Sequence, residues 1–139
     1  MNACKLGRFC KSVLRPNDDP AELKRLIGEF RFHYRPVGRM EEGLLDEIAA
    51  TKWRILRCCR IETDTLQLYG HKNGQPQLDA VAFAHDQKNL ALISKLPPWE
   101  ERLERKLASL TAQLDRTQTE RKRQTSGAVK LESAAIPPL

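Results

Sequence analysis

Apolar and polar positions along this chain recur at helical steps over most of its length. The most regular stretch runs from Glu41 to Tyr69. There Leu44, Ile48, Ile55, Cys59, Leu66 and Tyr69 are separated by three, four or seven residues, with Trp53 in their midst. That recurrence marks one face of an α-helix. The stretch has no proline and one interior glycine, Gly43. It predicts a helix over 40–69, roughly 40 Å long at about 1.5 Å per residue. Glu41, Glu42, Asp46 and Glu47 crowd its first two turns, where the helix dipole favours negative charge, and read as a solvated face.

Leu23, Ile27, Phe30 and Tyr34 form a shorter stripe ahead of it. Asp19 is a natural cap, Pro20 suits the first helical position, and Glu22 completes a capping pattern, so a helix is predicted over 19–35. Arg35-Pro36-Val37-Gly38 is turn chemistry. Gly70 to Pro76 reads as a flexible loop. Val81, Phe83, Ala84, Leu90, Leu92 and Ile93 predict a helix over 79–96, ended by Pro97-Pro98. A last helix is predicted over 99–124. Its Leu103, Leu107, Leu110 and Leu114 step by four, three and four, an a/d seam. Residues 1–18 read as a basic irregular arm and 125–139 as a flexible tail, leaving one helical domain over 19–124. The expected fold is all-α: an elongated antiparallel helical hairpin or bundle with a kinked, coiled-coil-like C-terminal helix. The leucine seam is either core of that bundle or a surface for a second copy or a partner helix.

Charge adds a functional expectation. The chain has 139 residues and a formal net charge of +6. Residues 1–40 hold nine lysines and arginines against four acids, whereas residues 41–70 hold four against six. The first fifteen residues carry Lys5, Arg8, Lys11 and Arg15 and no acid. Arg121, Lys122 and Arg123 make a second basic group. Such clusters attract polyanions, so these seven side chains are the expected nucleic-acid contacts, made to phosphates and without base readout. Arg54, Arg57 and Arg60 also share roughly one side of a helix. The favoured reading for them is that their stems cover core and their heads pair with acids.

Other chemistries find little footing. Cys4, Cys10, Cys58 and Cys59 show no Cys-x-x-Cys spacing, and the three histidines are scattered, so no metal site is expected. No nucleophile elbow and no phosphate-binding glycine loop is present. The expectation is a non-enzymatic protein with no cofactor. No signal-like segment and no apolar run of membrane length occurs, so a cytoplasmic protein without a membrane partner is expected.

Several short motifs carry a resemblance. Asn2-Ala3-x-Lys5-x-Gly7, Asp19-Pro20-Ala21-Glu22, Pro36-x-Gly38-x-x-Glu41, Ile48-Ala49 and Trp53-Arg54-x-x-Arg57 occur in that order. The chain from residue 2 to about 123 thereby resembles a group of short bacterial helical proteins. That group is loosely similar to small-subunit-terminase-like and other mobile-element proteins. Its opening usually reads Asn-Ala-Leu-Lys-His-Gly; here Cys4 and Leu6 stand at the third and fifth places. The resemblance implies an all-helical bacterial protein linked to phage or transposon DNA, and supplies no activity or site residue. Charge and resemblance together give the leading expectation, association with DNA or RNA through the basic arm. The alternative is a protein-interaction or scaffold module that uses the Leu103–Leu114 seam to pair with a second copy or a partner helix.

Overall fold

The computed structural model describes residues 13–72, 74–76 and 78–134. It is all-α, with helices α1 (Pro20–Tyr34), α2 (Gly38–Tyr69), α3 (Asp79–Lys88) and α4 (Leu92–Ala134). Asp19 caps α1 as its sequence predicts: its carboxylate accepts the Ala21 N–H at 2.9 Å, and Pro20 opens the helix. The helix stops where Arg35 adopts a left-handed φ of 45°, its N–H still bonded to the Arg31 carbonyl at 2.9 Å. Gly38, with φ +81°, then turns the chain into α2. A left-handed backbone is nearly free of strain only for glycine, which is why it occupies that corner.

The chain divides into two compact units, one of Met1–Ala49 with Ala108–Leu139 and one of Ala50–Leu107. The single helical domain expected over 19–124 thus holds parts of both. In the first unit Leu23, Ile27, Leu45, Ile48, Ala49, Leu110 and Leu114 are buried. Removing each large aliphatic side chain from water stabilises the fold by about 1.5–3 kcal/mol. In the second, Ile55, Cys58, Leu96 and Leu103 form a cluster flanked by Ile61 and Leu107. Trp53 is also buried there, and the Arg60 guanidinium lies over its ring, 4.9 Å from the centroid. Arg60 therefore covers core with its side chain, a use that suits a long amphipathic residue.

Four boundaries or faces differ from the sequence expectation. First, α3 ends at Lys88 instead of Leu96, and α4 already begins at Leu92. The cause is Asp86, fully buried, whose carboxylate accepts the N–H groups of Leu92 at 3.0 Å and Ile93 at 2.9 Å. Those donors have no partner within the helix, so filling them fixes where it starts. Second, α4 runs through Pro97-Pro98 without interruption and continues to Ala134, ten residues beyond the expected end. Third, Leu45 and Cys58 lie inside on α2, while Leu44 is half-buried and Cys59 exposed. Residues 48–51 are all buried, so the helix is covered on every side over that turn and its inner face is wider than one stripe. Fourth, the expected loop at 70–76 carries a small antiparallel ladder, β1 (His71–Lys72) against β2 (Gln75–Pro76). Gly70 leads into it; a Cβ there would collide with the Leu66 carbonyl oxygen.

Candidate nucleic-acid interface

The register of α4 sorts its side chains. Leu103 and Leu110 are buried, Leu114 is 0% exposed, and Leu107 is half-buried. The seam is therefore interior, not a surface left open for a second copy or a partner helix. Continuing its steps by three and four from Leu114 leads to Thr117 and Arg121. Arg121, one of the expected phosphate contacts, accordingly stands on the inner side.

There it meets Glu41, which is only 2% exposed. Arg121 Nε donates to Glu41 Oε1 at 2.6 Å, and its Nη2 lies 3.4 Å from Oε2. The second oxygen also accepts the Val37 N–H at 2.9 Å and Gln118 Nε2 at 3.2 Å. Gln118 in turn donates to the Tyr34 carbonyl at 2.7 Å, at the end of α1. One buried carboxylate thus ties the start of α2 to α4, and Gln118 extends the tie to α1. The Arg121 hydrogen bond holds the Glu41 carboxyl below the usual carboxylate range, against the opposing effect of burial. Glu41 belongs to the inner face with Leu45 and Ile48, four and seven residues on; it is not part of a solvated acidic face.

The outer side of α4 is basic. At about 100° per residue, Arg116, Arg123 and Lys130 stand within about 20° of the point opposite Leu114. They repeat every seven residues, roughly 10 Å apart along the axis. All three are exposed, as is Lys122 on the flank. Thr119, Ser126 and Gly127 lie between them and, with Lys122, Arg123 and Lys130, line an open depression. Asp115 and Glu120 flank this ridge, and Glu120 accepts Gln124 Nε2 at 3.2 Å. Lys122 and Arg123 thus keep the exposed placement expected of them. Arg116 and Lys130 join them, and Arg121 does not. The seven-residue spacing of Arg116, Arg123 and Lys130 is readable from the sequence, as is the seam register that carries Arg121 inward.

Of the arm, Lys5, Arg8 and Lys11 lie outside the described residues. Arg15 is exposed at a turn in which its N–H donates to the Asp18 carboxylate at 2.9 Å. No group of three or more histidine, cysteine or acidic side chains able to hold a metal ion occurs among the described residues. Cys58 is buried, which pushes its thiol up, and Cys59 is exposed with Sγ 3.8 Å from Glu100 Oε1. No described helix is long and apolar enough to cross a membrane. The chain matches no protein-family model, no curated protein and no solved structure.

Proposed function

We propose that this protein is a non-enzymatic helical module that associates with nucleic acid through phosphate contacts. The observation that carries this reading is the outer ridge of α4. Arg116, Arg123 and Lys130 are exposed there, with Lys122 on the flank, on a helix whose opposite side is held as far as Arg121 by Leu110, Leu114 and the Glu41–Arg121 pair. A row of exposed cations with hydroxyl side chains between them is the chemistry that phosphate oxygens recognise. Arg15 and the arm residues Lys5, Arg8 and Lys11 add charge of the same sign. The resemblance to mobile-element proteins makes phage or transposon DNA the polyanion of first interest. Contacts of this kind are indifferent to sequence and weaken as counterions compete.

Fluorescence anisotropy with labelled duplex and single-stranded DNA and RNA, at low and physiological salt, tests the reading. Affinity is expected to fall steeply with salt and to differ little between unrelated sequences. Binding that ignores salt, or no binding to any of these probes, would defeat it.

A further inference from the structure

On α1, Phe32 stands apart from the other aromatic residues of its helix. At about 100° per residue it points about 180° away from Leu23, off the stripe that Leu23 and Ile27 bury. It is 78% exposed. A large ring so placed gains nothing from the core, and its surroundings are not those of a stray apolar side chain. The Arg35 guanidinium carbon lies over the ring, 5.9 Å from its centroid. One turn earlier on the same face is Gly28, where an added Cβ would meet nothing within 4 Å. Glycine inside a helix costs about 1 kcal/mol relative to alanine. Here it leaves open space one turn before the ring. Arg25, exposed, stands two turns before Phe32 on that face, and Arg39 and Met40 are exposed just past the turn into α2. Glu29 is the nearest acid on α1, about 60° round the helix from Phe32.

We infer that Phe32 is a stacking platform for an unpaired nucleobase, with Arg25, Arg35 and Arg39 taking the adjoining phosphates. An exposed ring with an open approach, bordered by cations, fits a single strand, whose bases are free to leave their own stack. Duplex DNA keeps its bases stacked and offers no face to the ring. The site is distinct from the α4 ridge, which grips phosphates of either form. It rests on the nucleic-acid reading above and adds a preference that reading lacks.

Anisotropy titrations of the full chain with a labelled oligothymidylate, and with a duplex of equal length, test this. Phe32→Ala is expected to weaken oligothymidylate binding by at least about fivefold, the low end for a base stacked on an aromatic ring. Duplex binding should be unchanged, and Phe32→Tyr should restore the single-strand affinity. The ring is exposed, so the variant folds, and a circular dichroism melt confirms it. If the intact chain binds both probes but Phe32→Ala matches it, or loses both equally, the stacking site is overturned while the general reading stands. If the intact chain binds neither probe, the general reading falls and the site with it. Phe32-dependent binding to phosphatidylglycerol vesicles, with no change on oligothymidylate, would also overturn it, by assigning the ring to a lipid surface.

Discussion

A buried carboxylate is stable as an anion only when its oxygens are filled, and Glu41 has both filled, by Arg121, Gln118 and the Val37 N–H. Glu41→Gln keeps the shape but removes the charge that pairs with Arg121 and puts an amide NH2, itself a donor, where one accepting oxygen stood. The expected cost at neutral pH is about 1–3 kcal/mol of unfolding free energy. Its pH dependence has a definite sign. The folded-state pKa lies below that of the unfolded chain, so the charged form contributes stability above the ordinary carboxylate range. That contribution is lost as the pH falls through the lower, folded-state value. Urea melts should therefore show a wild-type advantage that is full at neutral pH and closes in strong acid. A gap of equal size at both extremes would contradict the charge assignment. The two adjacent cysteines make a second residue-scale contrast. Cys58 is buried with its thiol pushed up, and Cys59 is exposed, so thiolate chemistry should separate them. Alkylation of the folded chain, read by peptide mass spectrometry, should label Cys59 first and reach Cys58 only when denaturant opens the fold. Equal rates in the native state would contradict that burial.

At the scale of elements, the α3–α4 junction is where local signals mislead. Proline pairs usually end helices, and Pro97-Pro98 made residue 96 the natural boundary. The structure instead places the break at Asn89 to Ala91, where Ala91 takes a left-handed φ of 51° and its N–H bonds back to the Asp86 carbonyl at 2.7 Å. The deciding group is the Asp86 carboxylate, six and seven residues before the N–H groups it receives. An ordinary cap sits next to its helix, as Asp19 does at α1, and that is why one was legible and the other was not. Asp86→Ala should cost about 2–3 kcal/mol, since two charge-assisted bonds vanish and two donors are left in a half-buried turn. Ala91→Gly should act in the other direction, gaining up to about 1 kcal/mol by relieving the left-handed backbone. Thermal melts of the two variants check both signs, and a stabilised Asp86→Ala would contradict the capping role. The helical periodicity gave α1, α2 and the seam of α4 correctly because those faces repeat over several turns. Periodicity cannot rank Leu44 against Leu45, or Cys59 against Cys58, because two apolar neighbours differ by only one step. In the site a related limit appears: adjacency in sequence groups Arg121, Lys122 and Arg123, whereas the structure pairs Arg121 with Glu41 and leaves Lys122 and Arg123 exposed. Adjacent helical residues point about 100° apart, so a run of three cations cannot share one face.

At the scale of the whole molecule, the proposed function divides charge between two tasks, and the division is testable. A net charge of +6 says that polyanions are attracted but not which cations meet them. On α4 the answer differs between residues two positions apart. Arg121 is held by Glu41 and serves the fold, while Arg123 is exposed on the outer ridge and is the one that, under the proposed function, would meet phosphate. Arg121→Gln should lower the unfolding free energy, because it removes the cation from a buried acid, and should leave the salt dependence of binding nearly intact below its melting temperature. Arg123→Gln should do the reverse. Its stability should stay within about 0.5 kcal/mol of the parent, as for other exposed positions. The slope of log affinity against log salt should become shallower by about one, the share of one phosphate contact. The two substitutions remove the same formal charge, so a long-range effect of net charge alone would change both slopes alike. Paired urea melts and salt-titrated anisotropy on both variants decide between these accounts. Equal slopes for the two would mean that the ridge is no more than part of a diffuse positive field, and the assignment of Arg123 to a bound phosphate would be abandoned.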